Sequence, residues 1–230
     1  MDSPETTTGV RLFEPIEMRG VTARNRIMIS PMCQYCAANA VPHDWHFVHL
    51  GSRAVGGAGI VVTEATAVEP AGRITPYDLG LWNDEQESAF ARIAAFVNEQ
   101  GALPGVQLAH AGRKASHARP WEDRSTLLPE QGGWEVIGPS ALPWKDGDLI
   151  PRAMTTGDIG RVTAQFRNSV KRALRAGFRL VELHAAHGYL FHSFLSPLSN
   201  RRSDAYGGDF NGRIRFLLET VRARLHGCGR

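Results

Sequence analysis

Residues 158–189 read DIGRVTAQFRNSVKRALRAGFRLVELHAAHGY, and three kinds of local structure follow one another along them. Ile159, Val162, Phe166, Val170, Ala173 and Leu174 recur at helical spacing, which predicts a helix over 158–176 with Gly177 as its C′ stop. Past the glycine the run Phe178–His184 is short, apolar and β-rich, so a strand is expected there. The Ala-Ala spacer and Gly188 then permit a turn between His184 and His187, with Tyr189 directly after it. Helix, stop, strand and polar loop form the repeating unit of a parallel sheet, with reactive side chains at the strand's carboxyl end.

The same alternation extends in both directions. A strand over Arg26–Met32 precedes a helix from about Asp44 to Val55, and a second strand over Gly59–Ala65 leads through a Pro- and Gly-rich loop to a helix at 84–100. That helix carries Phe90, Ile93, Ala94 and Val97 as one apolar stripe. A third strand, Pro104–Ala109, is followed by a long irregular stretch at 112–154 holding Trp121, Trp134 and Trp144; three large aromatics argue for an ordered lid rather than a linker. A last helix is expected at 212–225, with Ile214, Leu217, Leu218, Val221 and Leu225 as its stripe. Polar residues recur just past each strand: Cys33 and Tyr35, Glu64 and Thr66, Gln107 and His110, His184 and His187. In parallel α/β folds loops and helix N-termini converge at that edge, so these residues are expected to share one site.

Composition bounds the partners. The chain has 230 residues, 43% of them hydrophobic, enough for a packed core in a single domain. Its 26 basic and 23 acidic residues are scattered, giving a formal charge of +3 without basic blocks, so no nucleic-acid partner is expected. The start MDSPETTTGV lacks a basic and an apolar region, and no window approaches the roughly 18 apolar residues of a membrane span. The expectation is a soluble, cytoplasmic protein with no membrane partner. Three cysteines are too few for a disulfide framework. Cys33 and Cys36 spell C-x-x-C, but no second pair completes a zinc site and no helix start follows the first cysteine.

Two employments of the imidazoles stay open on the residues alone. His184 and His187 could donate two hydrogen bonds to one oxygen, polarising a carbonyl, while Tyr189 delivers a proton to carbon. The blander reading satisfies His184 at the strand end, lets the other histidine cap the next helix, and packs Tyr189 as an aromatic. A metal enzyme is the rival, because His43, His46 and His49 fall at i, i+3 and i+6. Yet no H-E-x-x-H or paired carboxylate accompanies them, and no metal is expected.

Four separated stretches carry a resemblance: SPMCQY (30–35), EATAVEPAGRITPYDLGLW (64–82), QLAHAGRKAS (107–116) and HAAHGYLFHSFLSPLSNRRSDAYGG (184–208). In order and spacing they resemble the Old Yellow Enzyme family of flavin-dependent ene-reductases, above all its bacterial NADPH dehydrogenase and xenobiotic reductase branch. The resemblance implies a (β/α)₈ TIM barrel binding FMN, with NADPH or NADH as hydride donor and a small enone or quinone-like substrate. It assigns Ser30, Pro31, Met32 and Cys33 to the flavin, with Ala65 and Gln107 as further FMN contacts. Tyr35, His184 and His187 match the residues that hold the substrate oxygen, and Tyr189 matches the proton donor. Arg113 and Lys114 are expected to be structural or mouth-lining, and His192 and Cys36 depart from the family pattern and receive no role.

The family's barrel has eight units in about 250 residues, whereas this sequence supplies the first four, a half barrel with 112–154 over its mouth. The loops expected to hold a flavin phosphate, after strands seven and eight, are not among them, nor is the family's fifth-strand arginine. Open sheet edges would need covering by a homo-oligomer or a complementing half barrel. The tail Arg224–Arg230 also departs from the family, so a truncated fragment without flavin chemistry of its own is the alternative expectation.

Overall fold

The computed structural model of the protein describes residues 10–123 and 125–225. Regular structure starts with an antiparallel hairpin, β1 (Ile16–Met18) and β2 (Val21–Ala23), turned at Arg19 and Gly20 with φ of 45° and 79°. Both turn residues are left-handed, the geometry that matches strand twist in a two-residue hairpin. The hairpin was not expected from the sequence. Its Ile16, Met18 and Ala23 pack with Ile60, Val62, Leu103 and Leu180, closing the amino-terminal end of the main sheet.

That sheet comprises β3 (Met28–Ile29), β4 (Ile60–Ala67), β6 (Leu103–Ala109) and β9 (Leu180–Leu183), all parallel and in that order, with β5 (Leu79–Gly80) pairing the end of β4. Every residue of β4 is buried, as expected of a strand covered on both faces. The first strand is shorter than Arg26–Met32, because Pro31 brings no ladder donor and the chain leaves the sheet to form a loop that turns at Tyr35, φ 51°. The register sets Ala65 beside Gln107 and Gln107 beside Glu182, so one row of side chains crosses three strands. Between Thr63 and Ala65 that register shifts, leaving Glu64 as the extra residue of a β-bulge.

The helices are capped by the residues the sequence places there. α1 (Asp44–Val55) starts at His43, α2 (Asp84–Glu99) at Asn83 and α3 (Thr156–Arg175) at Thr155, each with a reciprocal capping box. Gly177 follows α3 at φ 95°, the left-handed stop. Phe90, Ile93, Val97, Val162, Phe166 and Val170 form the core against Val61, Val106 and Leu108 of the sheet.

Two apolar stripes differ from expectation. In α3, Leu174 is exposed while the other five face inward. In α5 (Phe210–Leu225) the buried line is Gly212, Phe216 and Thr220, whereas Leu218 and Val221 are each 39% exposed. The stretch 112–154 is also more ordered than a plain loop. It holds two short 3₁₀ turns and β7 (Ile137–Gly138), which pairs with β8 (Arg152–Ala153). A short helix, α4 (Leu190–Leu195), follows Tyr189. No helix among the described residues is long and apolar enough to cross a membrane. The tail beyond Leu225, including Cys228, lies outside the described residues.

Candidate active site

The turn between the two strand-end histidines is built from left-handed residues. Tyr189 donates its amide to the Ala186 carbonyl (3.1 Å), and between them His187 has φ 56° and Gly188 φ 76°. A histidine in that conformation is strained by about 1 kcal/mol, which such sites tolerate where the surroundings fix it. Three contacts do so here. Gly188 donates its amide to His192 Nδ1 (2.7 Å), Lys114 Nζ donates to the His187 carbonyl (2.9 Å), and a Cβ on Gly188 would lie 2.5 Å from the Trp144 ring. His192, left without a role by the sequence, thus secures the turn from α4.

The three rings gather closely: His184 lies 5.1 Å from His187 and 4.7 Å from Tyr189, both edge-on. His184 is buried, and its Nδ1 accepts the Ala186 amide (3.3 Å), so Nε2 carries the proton and faces His187 Nδ1 at 3.3 Å. The pair is therefore connected in series, where the sequence suggested two parallel donors. Burial, then the neighbouring His187, Lys114 and His192 charges, pull the His184 imidazole down to about 4. At neutral pH it is an uncharged donor.

A second group faces this one. Cys33 and Tyr35 are close enough for each side chain to act on the other's protonation. Burial first, then Asp78 and Glu64, push the Cys33 thiol up to about 12. Burial first, then Cys33, Tyr189 and Asp78, raise the Tyr35 phenol well above its ordinary value. Tyr35, Ile74, Thr75, Lys114, His117, Trp144 and Tyr189 line one cleft, so the two groups share an opening. Lys114 stands 4.1 Å over the Trp144 ring, and Arg113 donates to the Leu142 and Pro143 carbonyls, which ties 112–154 to the histidine turn. Ser30 and Met32 are exposed and Pro31 half-buried on the segment after β3. Ala65 and Gln107 sit in the cross-strand row, with Gln107 Nε2 donating to Glu182 Oε1 (2.9 Å).

Not every polar residue of the strand ends joins the site. His110 is buried against Glu69 (2.9 Å), whose other oxygen takes Arg161. Burial alone would raise the Glu69 carboxyl, yet the hydrogen bonds and charges of His110 and Arg161 hold it below the usual range, in a buried structural network. The expected row of His43, His46 and His49 does not converge either, since His49 stacks on Trp45. His43 and His46 meet Cys36 instead, their ligand atoms within 4.8 Å of one another. Their nitrogens are already engaged. His43 Nδ1 accepts from the Trp45 amide (3.3 Å), its Nε2 faces the Cys36 carbonyl (2.8 Å), and His46 Nδ1 accepts from the His43 amide (3.1 Å). The cluster reads as the cap of α1.

Known proteins resemble this chain in sequence and fold. The model of the NADH:flavin oxidoreductase / NADH oxidase family matches residues 11–229. An NADH:flavin oxidoreductase of Gibberella zeae is 46% identical over 221 residues, 94% of this chain and 54% of that protein. An NADPH dehydrogenase of Listeria innocua is 45% identical over 215 residues, 93% of this chain and 59% of that protein. The structure of Old Yellow Enzyme from Pichia sp. AKU4542 superposes with a TM-score of 0.84 at 29% identity, covering 94% of this chain and 56% of that one. The chain spans somewhat more than half the length of these relatives, and its four parallel units are part of their TIM barrel. On the match along nearly all of its length, the chain belongs to the NADH:flavin oxidoreductase / NADH oxidase family.

Proposed function

We propose that this site serves an FMN-dependent NAD(P)H oxidoreductase that reduces the C=C bond of α,β-unsaturated carbonyl compounds. The observation that carries the reading is the buried, neutral His184 with its protonated Nε2 3.3 Å from His187 Nδ1 and the Tyr189 ring 4.7 Å away. A carbonyl oxygen entering between the imidazoles would take the His184 Nε2 proton in place of the long bond to His187, and the Nε2 proton of His187 as a second donor. Two such bonds withdraw electron density from the conjugated system and leave its β-carbon electrophilic. Tyr189, kept near them by the left-handed turn, holds the proton for the α-carbon.

The donor set fits the face of a flavin. The Gln107 amide, the small Ala65 beside it, the Cys33 thiol and the segment Ser30–Met32 offer a hydrogen-bonding group, a gap and a soft contact along one sheet edge. FMN bound there supplies the hydride chemistry between nicotinamide and substrate. The phosphate loops of such barrels follow strands seven and eight, beyond the part of the relatives that this chain spans. The segment 112–154, which brings Trp144 and His117 to the cleft, would cover the substrate. Free thiols at Cys33 and Cys36 support a reducing, cytoplasmic setting.

The open edge of β9 supports a second reading, in which these four units act only once a second copy or a complementing half barrel covers them. The visible spectrum and mass of the purified chain divide the two. A yellow protein bleached by NADPH and recoloured by cyclohexenone supports the enzyme; a colourless one sinks activity of the chain alone. In a yellow protein, Tyr189→Phe is expected to slow enone reduction by about 10²-fold or more while NADPH still bleaches the flavin at the parent rate.

A further inference from the structure

We infer that Glu64 is the positioning residue of the Cys33–Tyr35 loop: displaced from the ladder by the β4 bulge, its buried carboxylate clamps the Gln34 amide. The inference rests on the proposed function only for what Cys33 and Tyr35 would face. Glu64 has no partner in the β4–β6 register, and a bulge beside a site re-aims the side chain it displaces. The bulge is held locally. The Glu64 carbonyl accepts from Thr66 Oγ1 (2.8 Å) and from Thr63 Oγ1 (3.2 Å), which satisfies a backbone acceptor inside a fully buried strand.

The carboxylate so aimed is 5% exposed and reaches two elements. Oε2 accepts the backbone amide of Gln34, the residue between Cys33 and Tyr35. Oε1 has no hydrogen-bond partner and stands 3.5 Å from His46 Nε2. Because His46 Nδ1 accepts the His43 amide, its Nε2 is the protonated nitrogen and donates to Cys36 Sγ (3.6 Å), so that Oε1 lies beside the imidazole without a hydrogen bond from it. Glu64 thus ties the bulge of β4 to the loop and lies against the cap of α1. A hydrogen bond to a carboxylate is roughly twice as strong as a neutral one, and the loop needs it: Tyr35 sits at φ 51°, a conformation that costs a non-glycine residue about 1 kcal/mol or more.

The position also fixes charge. Burial acts most on Cys33, followed by Asp78 from the segment before β5 and Glu64 from β4, while the Ala65 backbone and Tyr35 from its own loop act in the opposite sense. Both acids favour the neutral thiol. A flavin-side cysteine kept protonated is a hydrogen-bond donor rather than a nucleophile.

The test uses the chain with Cys36 and Cys228 replaced by serine, so that Cys33 alone reports. Glu64→Gln keeps an oxygen for the Gln34 amide and removes the charge, whereas Glu64→Ala removes both. Iodoacetamide labelling of Cys33 at pH 8 is expected to quicken about three- to tenfold in Glu64→Gln, since each unit of thiol pKa is a tenfold change in thiolate. Hydrogen exchange of the Gln34 amide should stay slow in that variant and become fast in Glu64→Ala. Labelling unchanged in a folded Glu64→Gln variant overturns the electrostatic half. A Gln34 amide in the parent that exchanges as fast as an unstructured peptide overturns the clamp, and that measurement needs no variant to fold. Neither readout involves flavin, so a colourless chain would sink the proposed function and leave these results standing.

Discussion

Gly188 shows how tightly the residues of the histidine turn depend on one another. Its φ of 76° suits glycine, and its missing Cβ is the space in which the Trp144 ring lies. Gly188→Ala should therefore cost about 1–2 kcal/mol from the left-handed backbone alone, read by urea denaturation, and should push Trp144 outward. A red-shifted tryptophan emission follows from that movement; unchanged emission would mean that Trp144 does not pack on the turn. His184 yields a pH prediction. Its folded-state value lies near 4, below the 6.5 of a free imidazole, so the unfolded chain binds the extra proton between them. Stability from this residue is fully present above pH 6.5 and is lost as pH falls toward 4. Asp78 acts in the opposite sense, because burial raises its carboxyl from 3.8 to about 7, giving stability that is present below pH 3.8 and lost as pH rises through 7. A bulk unfolding curve over pH 4–7 mixes the two, so the decisive measurement is the NMR titration of the His184 ring. A midpoint near 4 is expected, and one at 6–7 would contradict the buried, neutral donor. The presence of His184, His187 and Tyr189 at a strand end was legible from the apolar run and the Ala-Ala-His-Gly spacing. Their series connection was not, since which nitrogen bears the proton is set by the Ala186 amide, a backbone contact with no signature in residue types.

Among the elements, α4 and α5 carry the site's back wall. Phe216 of α5 is fully buried, 4.8 Å from the Phe191 ring and 4.9 Å from Phe194, both on α4, whose first turn follows Tyr189. Phe216→Ala is expected to cost about 3–5 kcal/mol by opening a cavity there, measured as a lowered denaturation midpoint. In whatever fraction stays folded, the Tyr189 ring should lose its fixed contact with His184, seen as averaged aromatic NMR signals. A single sharp set of Tyr189 signals at reduced stability would show that α4 is positioned without α5. The sequence located α5 to within two residues, but its expected stripe was rotated: Leu217 packs against the core and Ile214 is half-buried, whereas Leu218 and Val221 are exposed. Period alone says that a helix has an apolar stripe, not which of two apolar faces meets the chain it is written in, and here Leu218 and Val221 form the face left outside. Similar reasons hid two other features. The hairpin turns on Arg-Gly, which is a weak turn signal beside Asn-Gly, and the Glu64 bulge follows from register between strands, which a single strand's residues do not encode. Capping was more readable, because Asn83 with Gln86 and Thr155 with Asp158 stand at their required spacing.

At the scale of the molecule, the order β3-β4-β6-β9 gives β9 a hydrogen-bonded neighbour on one side only, among the described residues. The four residues of β9 are each half-buried, in contrast to the fully buried β4 two places away. Sequence predicted open sheet edges, since four alternating units make a parallel sheet but cannot close one, and closure needs a shear and strand number that four strands do not supply. The outer face of α5 also exposes apolar side chains, with Leu218 and Val221 each 39% exposed. Unpaired strand edges and contiguous apolar surface are the features through which chains associate. The 230 residues on their own are accordingly expected to self-associate at micromolar concentration, visible as a concentration-dependent sedimentation coefficient. If α5 contributes to that contact, Leu218→Glu with Val221→Lys should weaken association by about tenfold or more, a change of about 1.4 kcal/mol. The same double variant should leave the Cys33 labelling rate where it was, because neither residue lies among the groups that act on that thiol. A monodisperse monomer up to about 100 µM would show that the β9 edge and the α5 face are satisfied within the chain itself.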